Sequence, residues 1–252
     1  MSDKTLYITG AGVSAESGIP TFRGEDGFWT IGSINYTPQE MATRKMYQDQ
    51  PDEFLLWYYK RFASYRHIKP NKVHYWLSDK SLITQNIDGL DGKAGNSNYI
   101  PIHGRLDKVT LFHNQGENVS LIDAPWEQVC SGSGANEDDN KLKKLLLDSF
   151  KISSRTLLPE IGKSYKPFVL LFDEYYTDLY RMNEAENWMN SANKFVFIGT
   201  SFSVNITSIA LQYSLKNNCK IEIVDPKPID IGVSSVVYHQ MTANEFILMN
   251  ST

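Results

Sequence analysis

The sequence predicts an α/β fold: a parallel sheet covered on both faces by helices, with a smaller lobe built from two insertions. Three observations carry this. Short β-branched and aromatic runs alternate with helical patterns, a glycine-rich turn follows the first run, and two stretches interrupt the alternation. The runs expected as buried strands are Leu6 to Thr9, Leu82 to Thr84, Tyr99 to Ile102, Phe168 to Phe172, Lys194 to Ile198, Ile221 to Val224 and Val233 to Tyr238. Helical patterns cover Pro51 to His67, Asn71 to Asp79, Asp173 to Ala192 and Ile206 to Asn217. Residues 30–72 are helical with no strand. Residues 105–165 are polar and irregular, and their CSGSGANEDDNK string has loop composition. The expected core domain therefore takes about 1–29, 73–104 and 166–252, and the lobe about 30–72 and 105–165. A cleft between two such parts is where a ligand is expected.

Bulk composition agrees with one catalytic-sized domain. The chain has 252 residues, 41% of them hydrophobic, enough for a substantial core. A net charge of −4 gives no basic excess for phosphate neutralisation, so nucleic acid is not an expected partner. No apolar run approaches a membrane span, and MSDKTLYITG enters a strand at once with no signal-type apolar region. The two cysteines, Cys130 and Cys219, are far apart and give no disulfide framework. The expectation is a cytoplasmic protein without a membrane partner.

The segment TLYITGAGVSAESGIPTFRG starts as a strand and turns sharply. Gly10, Gly12 and Ala15 fit the G-x-G-x-x-G/A spacing of a Rossmann-like unit. Small residues there allow close approach to a pyrophosphate, and the next helix offers its first amides. A plain dehydrogenase unit would place an acidic residue after the second strand, about twenty residues on. Here that region is the loop PTFRGEDGFW.

The longer strings are more specific. GAGVSAESGIPTFRG, then TQNIDGL at Thr84 to Leu90, then His103-Gly104, then GTS at Gly199 to Ser201 occur in that order. Together they resemble the signatures of the sirtuins, NAD-dependent protein deacylases, and PNKVH at Pro70 to His74 resembles the family as well. The resemblance runs from about Leu6 to Ala243. It implies a Rossmann-like domain, NAD as cofactor and an acylated-lysine protein or peptide as partner.

The resemblance also implies roles residue by residue. His103, Asn86 and Asp88 take the catalytic positions. His103 is the base that takes a proton from a ribose hydroxyl, so that this hydroxyl can attack the acyl carbon. Histidine suits that task because it titrates near neutrality. Asn86 and Asp88 hold the nicotinamide carboxamide and a site water, and Gln85 helps to place the ribose. Gly10, Ala11, Gly12, Ser14 and Glu16 belong to the cofactor loop. It continues through Ile19, Pro20, Thr21, Phe22, Arg23 and Trp29, with Phe22 shielding the reacting centre from water. Ile87 lies within the Asn86–Asp88 turn. Gly199, Thr200 and Ser201 suit phosphate and adenosine contacts, and Val224, Asp225 and Ala243 complete the adenosine side. His74 is a helix-packing histidine supporting the site from behind, while His67, His113 and His239 are given no site role.

Tyr58 and Arg61 are spaced i, i+3 on the helix expected at Pro51 to His67, so both point the same way. A phenol and a guanidinium fork together can grip a carboxylate. Sirtuins that remove succinyl, malonyl or glutaryl groups carry such a Tyr-x-x-Arg pair with a small Ala upstream, here Ala42. The competing reading is an aromatic helix face with a solvated arginine.

Two features depart from the resemblance. Most sirtuins hold the small lobe with zinc on two cysteine pairs, but this chain has no C-x-x-C, so a zinc-free lobe is expected. Its packing is expected from Leu142 to Leu147 and Phe150. Where the family has Phe-Gly-Glu, this chain has Phe172-Asp173-Glu174, which puts the peptide-binding edge in question. Alternatives stay open: a deacetylase without acidic preference, NAD hydrolysis or ADP-ribosyl transfer on the same site, or a non-catalytic NAD or ADP-ribose sensor. The oligomeric state is not legible.

Overall fold

The computed structural model describes residues 4–21, 36–132 and 138–250. In chain order they form β1 (Thr5–Thr9), α1 (Gly12–Ala15), α2 (Pro38–Met41), α3 (Arg44–Asp49), α4 (Pro51–Tyr65), α5 (Lys72–Trp76) and β2 (Leu82–Thr84). Next come α6 (Leu90–Lys93), β3 (Ile100–Pro101), β4 (Gly104–Leu111), β5 (Ile122–Asp123), α7 (Trp126–Gly132), α8 (Asp139–Ser149) and β6 (Tyr165–Val169). A 3-10 turn at Asp178–Tyr180 leads to α9 (Met182–Ser191), β7 (Lys194–Ile198), α10 (Asn205–Lys216), β8 (Lys220–Val224), β9 (Val236–His239) and α11 (Ala243–Met249). The chain divides into two compact units. The first is Met1–Thr21, Ile68–His103 and Tyr180–Thr252; the second is Phe22–His67 and Gly104–Leu179. None of the helices described is long and apolar enough to cross a membrane.

The first unit holds a six-stranded sheet in the order β3-β2-β1-β7-β8-β9, every pairing parallel. The order reverses between β1 and β7, the topological switch point at which open α/β sheets bind ligands. β1 and β7 are buried on both faces, as parallel strands covered by helices require. On one face Val196, Ile198 and Val224 pack with Val13, Val73, Leu77 and Phe246. Pro101 is tolerated because β3 is an edge strand.

The second unit is built around an antiparallel sheet, β5-β4-β6. Three expectations are corrected here. The apolar run after residue 165 does not return to the parallel sheet: β6 pairs with β4, and residues 166–179 stay with the second unit. An apolar run shows burial, not which sheet buries it. Residues 105–165 are not simply irregular, for they contain β4, α7 and α8; β4 escaped notice because its register shifts between Arg105 and Val109, which breaks the period of two. The helix expected from Asp173 begins only at Met182, after Arg181 in the left-handed region (φ 58°). Left-handed backbone cannot propagate a right-handed helix.

Aromatic packing and one ionic cluster organise this unit. Trp126 is 1% exposed, its Nε1–H donates to the Leu106 carbonyl at 2.6 Å, and its ring lies 4.8 Å from Phe150 and 6.2 Å from Tyr59. Burying about 200 Å² of indole at about 25 cal/mol per Å² contributes roughly 5 kcal/mol before entropy is counted. On α8, Leu142 and Leu146 stand four residues apart and are both buried. Lys143 pairs with Glu53 at the start of α4. The Glu174 carboxylate lies between two cations, Arg44 at 3.0 Å and Lys166 at 3.0 Å. Asp173 accepts from the backbone amides of Arg44 (2.6 Å) and Lys45 (3.0 Å), the first two of α3. An anion there satisfies orphan donors and complements the helix dipole. Asp173 is not among the positive-φ residues, so its backbone does not need glycine, and its carboxylate caps the first amides of α3.

Candidate active site

β1 and β7 end at the switch point in a glycine-on-glycine contact. The Gly10 amide donates to the Ile198 carbonyl (3.1 Å), and the Gly12 amide to the Gly199 carbonyl (3.0 Å). A Cβ on Gly12 would lie 2.6 Å from the Gly199 Cα, and one on Gly10 2.7 Å from the Gly199 oxygen. Gly199 also has φ +60°. The spacing predicted close approach to a ligand; what the backbone adds is close approach of the two loops to each other. Gly104 is glycine for a related reason: it pairs with Val169 at φ +85°, where a side chain would overlap the Phe168 carbonyl.

Behind the first glycine loop, one hydroxyl organises three polar groups. Ser14 Oγ donates to Asp88 Oδ2 at 2.7 Å and accepts from Asn86 Nδ2 at 3.1 Å. Asn86 Nδ2 also reaches the Gly10 carbonyl (3.0 Å). His74 Nε2 stands 3.4 Å from Ser14 Oγ, and its Nδ1 is 3.0 Å from Asn71 Oδ1. Asn71 caps α5 and donates to the Val13 carbonyl at 2.8 Å. Asp88 Oδ1 accepts from the Leu90 amide (2.8 Å). Burial raises the Asp88 pKa, opposed by the Leu90 amide, the Ser14 hydroxyl and Lys93. His74 is pushed down to about 4 by burial, so it is neutral at neutral pH.

His103 follows β3. Its Nδ1 lies 3.1 Å from the Gln85 carbonyl, which can only accept, so Nδ1 carries the proton and Nε2 the lone pair. Burial lowers its pKa to about 4, against the Gln85 contact, which raises it. A neutral imidazole with an assigned acceptor nitrogen is in the state a general base needs. Gln85 Nε2 in turn donates to Thr200 Oγ1 at 3.1 Å, which ties the end of β2 to the loop after β7.

The other expected positions are placed as follows. Ile19 and Val224 are buried, Glu16 and Ser201 exposed, and Ala11, Pro20, Thr21 and Ile87 half-buried. Ser201 Oγ contacts Ser203 Oγ at 2.8 Å. Asp225 accepts from the Lys227 amide at 2.8 Å, and buried Ala243 opens α11. Phe22, Arg23 and Trp29 lie outside the described residues. Ala42, Tyr58 and Arg61 belong to the second unit. Tyr58 and Arg61 are only 4% and 7% exposed, and the guanidinium lies 3.4 Å from the Trp57 ring centre. Burial lowers Arg61 to about 10, so it stays charged at neutral pH, and raises Tyr58. The Ala42 carbonyl accepts from the Phe172 amide (3.0 Å).

Sequence reading missed the Thr9–Thr84 hydroxyl pair (2.9 Å). The signal was there: polar residues at the ends of buried strands require partners. For a metal, no group of three or more His, Cys, Asp or Glu gathers among the described residues. His113 has its Nδ1 on the Leu111 carbonyl at 2.7 Å, and the Cys130 side chain lies outside the description. The sequence holds two cysteines and no C-x-x-C pair, so the four-thiolate set of a structural zinc site is not available in it.

The strand order, the glycine switch point and the polar cluster beside it define a dinucleotide-binding α/β enzyme class. Comparison with known proteins makes this specific. The Sir2 family profile matches residues 10–206, and the chain belongs to the Sir2 family. It is 31% identical to NAD-dependent protein deacylase 1 of Caldanaerobacter subterraneus subsp. tengcongensis, over 98% of this chain and 92% of that one. It is 29% identical to the NAD-dependent protein deacylase of Bacteroides thetaiotaomicron, over 92% and 89%. A Sir2 homologue mutant solved with ADP-ribose superposes with a TM-score of 0.74 at 25% identity, covering 98% of this chain and 90% of that one. A Sir2 homologue–NAD complex gives 0.71 at 25% identity, with 98% and 87% covered.

Proposed function

We propose that the chain is an NAD-dependent protein-lysine deacylase, passing the acyl group to ADP-ribose with release of nicotinamide, and that it prefers acidic acyl groups. The observation that carries the reaction class is the pairing of an assigned base with a preorganised polar turn. His103 presents a lone pair on Nε2, and Asn86 and Asp88 are both fixed by Ser14. The Gly10–Gly12 turn, with Thr200 and Ser201, would hold the pyrophosphate and adenosine side. NAD supplies the ADP-ribosyl group that accepts the acyl oxygen when nicotinamide leaves. Asn86 and Asp88 orient the carboxamide of that leaving group. His103 takes the ribose proton; burial keeps the ring neutral, with Nε2 unprotonated, across the physiological range, at the cost of some basicity.

Tyr58 and Arg61 support the acidic preference. Both sit on one turn of α4, largely out of water, where a guanidinium–carboxylate bond is stronger than in solvent. The Trp57 ring holds the guanidinium in place. Turnover of acetyl-lysine and succinyl-lysine peptides with NAD, with O-acyl-ADP-ribose read by mass, tests this. Succinyl is the preferred substrate, and Arg61→Met lowers its turnover by roughly 10- to 100-fold while sparing acetyl. Preference for acetyl, unchanged in Arg61→Met, would falsify the acyl assignment. Nicotinamide release that needs no acyl peptide would instead make the chain an NAD hydrolase.

A further inference from the structure

We propose that Asp173 is a positioning residue for acyl selection: by clamping the corner between α2 and α3 it fixes Ala42 directly, and Tyr58 through the packed rings of α3 and α4. The proposal rests on the reading of Ala42 and Tyr58 as acyl-pocket residues. Its basis is a register of three consecutive residues. The Phe172 amide donates to the Ala42 carbonyl at 3.0 Å. Asp173 Oδ1 and Oδ2 accept from the Arg44 and Lys45 amides at 2.6 Å and 3.0 Å. Glu174 accepts from the Arg44 guanidinium at 3.0 Å, and that guanidinium also donates to the His113 carbonyl. A slip of one residue along either segment breaks all of these contacts together.

The corner depends on such outside contacts. α2 has four residues and α3 has six, too few for either helix to hold its own place. Between them Ala42 (φ −86°, ψ 48°) and Thr43 (φ −122°, ψ 150°) leave the helical region. The first amides of α3, on Arg44, Lys45 and Met46, have no carbonyl one turn back within the helix. Asp173 satisfies the first two, and Thr43 Oγ1 satisfies the third at 3.0 Å. Alanine at 173 returns two amides to water and removes two of the bonds that hold this corner to the segment after β6. Ala42 is itself buried, so a shift of the corner moves its methyl group against packed neighbours. The shift also travels along α3. Tyr47 is buried there, its hydroxyl donating to the Tyr165 carbonyl at 2.7 Å. Its ring lies 5.2 Å from that of Phe54, and Phe54 lies 4.6 Å from Tyr58. Close-packed rings pass a displacement on rather than absorb it.

Steady-state kinetics on the intact chain, with NAD and matched succinyl-lysine and acetyl-lysine peptides, tests this. Asp173→Ala raises KM for the succinyl peptide about tenfold and leaves kcat within about twofold, because the clamp places the acyl chain and not the reacting atoms. KM for the acetyl peptide and for NAD changes by less than about twofold, so the succinyl-to-acetyl ratio of kcat/KM falls about tenfold. Asp173→Asn keeps one acceptor oxygen and limits the fall to about threefold. A clamp that only supports the fold would slow both peptides alike, so an unchanged ratio in Asp173→Ala overturns the proposal. A wild-type preference for acetyl overturns the acidic-acyl reading beneath it, and the clamp is then decided by whether Asp173→Ala still shifts the ratio. Should Asp173→Ala not fold, Asp173→Asn decides, and a ratio equal to that of the wild type overturns the proposal.

Discussion

Replacing Glu174 by Gln is predicted to cost the second unit far more than replacing its partner Lys166 by Met. Glu174 accepts from Arg44 Nη1 at 3.0 Å, Lys166 Nζ at 3.0 Å and the Leu171 amide at 3.1 Å, and the Lys166 and Glu174 side chains are 2% and 5% exposed. Losing the anion leaves the buried Lys166 and the half-buried Arg44 facing an amide, and breaking a buried ionic cluster in this way costs roughly 3–5 kcal/mol. Lys166→Met has a different balance. Glu174 keeps Arg44 and the Leu171 amide, and the buried ammonium, whose pKa burial lowers, no longer has to be desolvated. Its expected cost is about 0–2 kcal/mol. Urea unfolding followed by tryptophan fluorescence reads this, with Trp57 and Trp126 in the second unit and Trp76 and Trp188 in the first. With a slope of about 1–3 kcal/mol per M, Glu174→Gln moves the midpoint by more than about 1 M. Hydrogen exchange should quicken at β6 and at the Arg44 and Lys45 amides. If Lys166→Met loses as much as Glu174→Gln, the cluster is held by pairwise attraction and the desolvation argument is wrong.

Two further predictions concern the first unit. Because burial holds His103 and His74 near 4, both rings should remain neutral down to about pH 5 by histidine NMR. For a depressed histidine, stability is whole above the unfolded value of about 6.5 and is lost as pH falls toward 4, so His74→Gln should flatten that acid slope; a ring titrating near 6.5 would contradict it. Gly199→Ala should cost roughly 2–5 kcal/mol, from left-handed strain plus overlap with Gly12. Gly18→Ala, also at positive φ but with nothing within 4 Å among the described residues, isolates the strain at about 1–2 kcal/mol, and equal losses in urea unfolding would remove the loop-contact argument.

Most of the parallel sheet was legible because β2 and β7 are almost wholly buried, and β1 and β8 bury their Leu, Ile and Val residues. The second unit was harder. Its central strand, GRLDKVTL, buries only Gly104, Val109 and Thr110, so no period of two shows in the sequence. Asp173 looked like a damaged glycine position because its partners are amides 128 and 129 residues away, a distance local patterning does not span. In the candidate site, Ser14, Asn86, Asp88 and His103 are named by motif. The direction of each hydrogen bond and the tautomer of His103 follow only from the geometry.

The contact between Gly12 and Gly199 also constrains how this chain can change. Neither loop has room for a methyl group while the other stays where it is. A side chain at one position therefore becomes tolerable only after the opposite loop has moved, and moving it disturbs the Gly12–Gly199 hydrogen bond. The two positions are epistatic in the strict sense: each sets the fitness of any substitution at the other. Libraries that vary the two glycine loops separately should return almost nothing but glycine, whereas new cofactor-loop geometries have to be sought by varying both together.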